Sequence, residues 1–145
     1  MNLQHTTVFI LAAIVLTTAI LYFFEAYKEY TSLKENVAEG LLGEISENQI
    51  EITLFAGSGI IYLGLLGWIL VKKLKSIVPY SVLIVISTIL IVTYAASRTV
   101  GVPIIGIEFY IGKYDILTKV LQGIIIALSG YSIYSIRTNN SRNNK

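Results

Sequence analysis

Four apolar runs set the pattern of this chain: Val8–Phe24, Ile52–Val71, Tyr80–Ser97 and Ile116–Ile136. The first three carry no charge, and the fourth carries only Lys119. Their lengths match the roughly 20 helical residues, at about 1.5 Å each, that cross a hydrocarbon core of about 30 Å. A strand reading fails because the runs do not alternate and four strands cannot close a barrel. Inside lipid only the helix satisfies its own backbone. The pattern therefore predicts an all-α membrane protein with four transmembrane helices.

The polar intervals are informative too. Between the first two runs, apolar residues recur at Phe23, Tyr27, Tyr30, Leu33, Val37, Leu41 and Ile45, spaced by three and four, while Glu25, Lys28, Glu29, Glu35, Asn36 and Glu39 fill the other side. Segment 25–49 thus reads as an amphipathic helix, either a continuation of helix 1 or a separate helix along the surface. Gly40 and Gly43 are its expected breaks, and Ser32-x-x-Glu35 and Ser46-x-x-Gln49 fit capping boxes. Its apolar stripe is either a docking surface for a partner subunit or a plain connector face against lipid headgroups.

The interval from Arg98 to Asp115 is rich in valine and isoleucine yet interrupted by Gly101, Pro103, Gly106 and Gly112. Such breaks defeat a helix, and branched apolar side chains call for burial, so a partly buried loop folded onto the helix ends is expected. Arg98, Glu108, Asp115 and Lys119 surround it. Arg98 is expected to pair with Glu108 or Asp115, and Lys119, about a turn inside, to reach outward. This set reads as a structural clasp holding helices 3 and 4. Small residues mark candidate packing faces: Gly57, Gly64 and Gly67 on helix 2, Gly123, Ala127 and Gly130 on helix 4, and Ala13 and Thr17 on helix 1. Within lipid, close approach of such residues favours helix association.

Charge sets the orientation. Segments 1–7, 72–79 and 137–145 carry Lys72, Lys73, Lys75, Arg137, Arg142 and Lys145 and no acid, whereas the opposite side carries all nine acids. The positive-inside rule places both termini, including the 137–145 tail, in the cytoplasm of a multi-pass plasma-membrane protein. The tail's Asn139-Asn140-Ser141 matches a glycosylation sequon but falls on the wrong side. The first run lacks a basic n-region and a small-x-small site, so it reads as an uncleaved anchor. Aromatic residues at the run ends, Tyr22, Phe23, Phe24, Tyr27, Trp68, Tyr80, Tyr131 and Tyr134, fit interfacial belts.

Composition narrows the chemistry. Of 145 residues, 54% are hydrophobic and 14% charged, and mean hydropathy is +0.71. Cysteine is absent and His5 is the sole histidine. Thiolate and multi-histidine metal sites are thereby excluded, no cofactor is expected, and no Ser-His-Asp set or phosphate-cradling loop is present. A net charge of +2 gives no reason to invoke nucleic acid. No carboxylate lies at mid-membrane depth, as a proton-coupled carrier would need. The polar groups left inside are Gln122, Thr88 and the hydroxyls of Tyr62 and Tyr94. Transport gains if Gln122, Thr88 and Tyr94 line a wet cavity.

Residues Ser97-Arg98-Thr99-Val100-Gly101-Val102-Pro103, followed by Gly106, Glu108, Asp115 and Lys119, resemble a stretch of small four-helix archaeal membrane proteins, among them accessory subunits of the archaeal ammonia monooxygenase. The likeness covers residues 97–119 and transfers no functional residue. It implies a non-catalytic place in a membrane complex. The residues point the same way: a structural or accessory subunit meeting other integral membrane subunits through 25–49 and 98–115, with membrane lipids around it. The alternative is a small homo-oligomeric channel or transporter.

Overall fold

The computed structural model describes residues 3–101 and 113–143. Four α-helices account for nearly all of them: α1 (Leu3–Glu39), α2 (Leu42–Lys72), α3 (Val78–Thr99) and α4 (Lys113–Asn143). There is no strand among the described residues, and all four helices are long and apolar enough to cross a membrane. Glu108 and most of the 98–115 loop lie outside the described residues.

Lengths differ in a way the apolar runs alone did not predict. At about 1.5 Å per residue, the 37 residues of α1 reach roughly 55 Å and the 31 of α2 roughly 46 Å, against about 30 Å of hydrocarbon. The 22 residues of α3 just suffice. Thus α1 continues without a break through segment 25–39, and the hairpin joining it to α2 stands beyond the level where α3 ends. The hairpin turns on Gly40, whose φ of 74° is a left-handed value that costs L-residues about 1–2 kcal/mol. Leu41 N donates to Asn36 O at 3.0 Å and Gly40 N to Val37 O at 3.3 Å, which closes the helix with a Schellman motif. Gly43, by contrast, lies inside α2. Neither expected capping box forms, because both serines sit within helices. Ser46 Oγ turns back and donates to Gly43 O at 3.0 Å.

At the opposite end a single 3₁₀ turn, Lys73–Lys75, leads towards α3, where Pro79 occupies the first turn as its fixed φ and missing N–H allow. Lys73 holds a φ of 45°, and Tyr80 donates its hydroxyl to Lys73 O at 2.7 Å. Tyr80 is fully buried and Tyr22 nearly so, which removes both from the interfacial belt. Tyr27, Trp68, Tyr131 and Tyr134 are exposed as a belt requires.

α1 packs mainly along α2 and on α4, and α3 on α4; α2 meets α3 less extensively. Buried positions repeat by heptads. Among them are Val8, Leu11, Val15, Ala19, Tyr22 and Ala26 on α1, Ser58, Tyr62, Leu65 and Ile69 on α2, Tyr80, Leu83 and Ser87 on α3, and Thr118, Gln122, Ile125, Ser129, Ser132 and Ile136 on α4. A 3.5-residue period is what keeps two helices in contact along a left-handed crossing.

Close packing does not fall where the glycines suggested. A Cβ built on Gly57, Gly64, Gly67, Gly123 or Gly130 meets nothing within 4 Å, and Gly64, Gly67, Gly123, Ala127 and Gly130 are exposed. Gly59 is the tight position of α2, where a Cβ would lie 3.0 Å from the Phe23 ring. On α1 the buried small residues are Ala12, Ala19 and Ala26, seven apart, rather than Ala13 and Thr17, which face outward. The glycine faces therefore lie outside the bundle because the inward positions of α2 and α4 are taken by larger or hydrogen-bonding side chains.

Candidate functional site

The inward face of α4 is the least apolar surface of the bundle interior. Its best membrane-length window has a mean hydropathy of 1.6 against 2.4 for α1. Thr118, Gln122, Ser129, Ser132 and Ser135 are all buried. Thr118 and Ser132 return their hydroxyls to carbonyls on their own helix. Gln122 instead reaches across the bundle. Its Nε2 donates to the Tyr22 hydroxyl at 2.7 Å and to the Tyr62 hydroxyl at 3.1 Å, and the Tyr62 and Ser87 hydroxyls are 2.9 Å apart. One hydrogen-bonded chain thereby links α4, α1, α2 and α3. The Tyr22 and Tyr62 rings stack with centroids 5.9 Å apart, which fixes both hydroxyls beside the amide. Gln122 Oε1 is buried without a hydrogen-bond partner among the described residues.

Towards the hairpin end this chain meets charge. Lys119, one turn before Gln122, donates to Tyr22 Oη at 3.3 Å, and its ammonium lies 5.0 Å from the Tyr94 ring centroid and 5.6 Å from that of Tyr22. Desolvated ammonium over aromatic faces is a favourable cation–π arrangement. No ion pair to Lys119 occurs among the described residues. Arg98 Nη2 sits 3.3 Å from Asp115 Oδ2, with both side chains largely buried, so α3 and α4 are joined at their adjacent ends. Asp115 pairs directly with Arg98 and also acts electrostatically on Lys119, whose ammonium rests on the aromatic rings. Glu108, the other acid of the expected clasp, is outside the described residues.

These groups border a cavity of about 200 Å³ to which all four helices contribute. Its apolar wall includes Leu54, Phe55 and Leu90, and Tyr22 and Tyr94 supply rings. Around it stand Lys28, Arg98 and Lys119 and the acids Glu25, Glu29, Glu51 and Asp115. Glu25 is only 6% exposed; its Oε2 accepts from Lys28 Nζ at 3.0 Å, and its Oε1 is buried with no hydrogen-bond partner among the described residues. The expectation of a wet cavity meets a divided outcome. Tyr94 lines this one, Gln122 lies in the adjoining hydrogen-bond chain, and Thr88 is on the exposed face of α3.

Sequence reasoning missed Glu25 and Tyr22 as interior groups. Both fall at the end of an apolar run, where solvent or headgroups are the natural expectation. The heptad Val8, Leu11, Val15, Ala19, Tyr22, Ala26 was the available signal.

Beyond the cavity the α1–α2 hairpin carries polar side chains between its helices and leaves part of its apolar stripe outside. Asn36 Nδ2 donates to Asn48 Oδ1 at 2.8 Å, and Asn48 Nδ2 to Glu29 Oε2 at 3.0 Å, so polar side chains lie between the two helices. Tyr27, Tyr30, Val37, Leu41 and Leu42 point away, with Tyr27 66% and Leu42 80% exposed. No family model, curated protein or solved structure matches this chain.

Proposed function

We propose that this chain is a non-catalytic subunit of a larger membrane protein assembly, of the archaeal ammonia monooxygenase kind that residues 97–119 resemble. The observation that supports it best is the exposed apolar stripe of the α1–α2 hairpin, with polar side chains between its helices. A hairpin standing in water places its apolar stripe between its helices. Here Asn36, Asn48 and Glu29 meet between the helices beside half-buried Leu33 and Ile45, and Tyr27, Tyr30, Val37 and Leu42 are presented outward. A neighbouring membrane subunit that covers this stripe satisfies both faces. The exposed small-residue face of Gly123, Ala127 and Gly130 offers a second approach for a transmembrane helix.

In this reading the protein crosses the plasma membrane four times, the basic ends and the Lys72–Lys75 cluster face the cytoplasm, and the hairpin is the amphipathic outer extension. Because the chain has no cysteine, single cysteines at Glu39 and Ser141 report orientation through a membrane-impermeant maleimide. Labelling from outside is expected at position 39 alone.

Purification in mild detergent is the deciding experiment. The chain is expected to come out with other subunits in fixed stoichiometry, and Tyr30→Glu with Val37→Glu to release it without unfolding it. Recovery of the wild-type chain as a lone monomer refutes the proposal and assigns the stripe to lipid. The second reading, a small homo-oligomeric channel or transporter, is favoured by one feature: the cavity lined by ionisable groups at the hairpin end. Substrate flux through liposomes holding only this chain decides for it.

A further inference from the structure

We propose that the cavity at the hairpin end binds a small zwitterion, an amino-acid-like molecule whose ammonium is taken by Glu25 and whose carboxylate is taken by Lys119. The inference does not depend on whether the chain docks to partners.

Three observations carry it. The first is an unused acceptor. Glu25 is more than nine-tenths buried, lines the cavity, and engages Lys28 through Oε2, leaving Oε1 buried and without a hydrogen-bond partner among the described residues. A carboxylate oxygen in that position costs free energy unless a donor reaches it, and a bound ammonium is such a donor. The second is an unused cation on the same cavity. Lys119 is held by the Tyr22 hydroxyl and by two rings; Asp115 acts on it electrostatically from one turn away, but no carboxylate forms an ion pair with it among the described residues. The third is the balance of the wall, which carries three basic and four acidic side chains over an apolar lining of Leu54, Phe55 and Leu90. A simple cation meets Lys119 and Arg98, and a simple anion meets the carboxylates. A molecule bearing both signs, with a compact apolar body, meets neither penalty. The volume, about 200 Å³, is below that of pockets for drug-sized ligands, which start near 300 Å³.

The test uses the full chain in detergent micelles. Glycine, alanine, leucine and phenylalanine form a size series, read by isothermal titration and by the shift of the thermal unfolding midpoint. Leucinamide and 4-methylpentanoate supply the single-charge analogues of leucine. Saturable binding by at least one amino acid is expected, with both single-charge analogues about tenfold weaker or more, the loss of one charge-assisted hydrogen bond. Glu25→Gln and Lys119→Gln are each expected to weaken binding by a similar factor while helicity is retained. The proposal is overturned if no member of the series binds, if leucinamide or 4-methylpentanoate binds as well as leucine, or if folded variants bind unchanged. The comparison of ligands on the unaltered chain stays decisive even where a variant does not fold.

Discussion

Replacing Tyr62 by Phe removes one oxygen from the centre of the bundle and leaves no cavity. That oxygen accepts from Gln122 Nε2 at 3.1 Å and lies 2.9 Å from Ser87 Oγ, so two interhelical hydrogen bonds are lost together. Two magnitudes compete. Leaving a buried polar group unsatisfied in a water-soluble protein costs about 1–3 kcal/mol. Hydrogen bonds between membrane helices average only about 0.6 kcal/mol, with a ceiling near 1.7, because the separated helices also find partners. The lower scale governs here for a structural reason. Gln122 keeps its 2.7 Å bond to Tyr22, and the Ser87 hydroxyl can turn to the carbonyl one turn back on its own helix. Tyr62→Phe is therefore expected to destabilise the bundle by about 1 kcal/mol, two average bonds at most. Equilibrium unfolding in mixed micelles measures it, and a double-mutant cycle with Ser87→Ala isolates the Tyr62–Ser87 bond, with a coupling expected at about 0.6 kcal/mol. Gln122→Leu sharpens the reasoning. It deletes two bonds but also removes the unpartnered Oε1, so its cost is expected to stay below the sum of the two bonds. Additive behaviour in the cycle, together with Tyr62→Phe indistinguishable from wild type, would falsify the claim that this chain of hydrogen bonds helps hold the four helices.

Arg98→Ala removes the pair that joins α3 to α4 and leaves Asp115 in a largely buried position; a loss of about 1 kcal/mol or somewhat more in unfolding stability and lower assembly abundance are expected, and an activity lost from a normally assembled complex would contradict the clasp role. Gly40→Ala forces a Cβ into φ 74° and is expected to cost about 1 kcal/mol, whereas Gly123→Ala meets open space and gains helix propensity, so the isolated chain should be unchanged or slightly more stable. Gly123→Ala that destabilises the isolated chain as much as Gly40→Ala would contradict the packing described for α4. If Gly123→Ala instead weakens only the assembled complex, the exposed small-residue face is a contact between subunits.

The four membrane-length helices were legible in the sequence because lipid imposes a severe rule. A long uncharged apolar run has no way to satisfy its backbone there except as a helix. The turn at Gly40 was legible for a similarly local reason, since a positive φ selects glycine. Which side of each helix faces inward was not. In water, burial follows hydrophobicity, and the apolar stripe marks the core. In lipid, the outside of the bundle is as apolar as the inside, so Leu, Ile and Val carry no directional signal, and the interior is chosen by shape and hydrogen bonding. Hence Tyr22, Tyr80, Glu25 and Gln122 lie inside, while Gly64, Gly67, Gly123 and Gly130, which resemble packing residues on paper, lie outside. The linear order of residues determined how many membrane-length helices there are, though not how far each extends past its apolar run. Only the tertiary arrangement decided that Lys119 would be enclosed by rings from α1 and α3, and that Glu25 would share its cavity. The α1 members of that group, Tyr22 and Glu25, lie roughly a hundred positions from Lys119, a separation at which no local pattern of side chains leaves a trace.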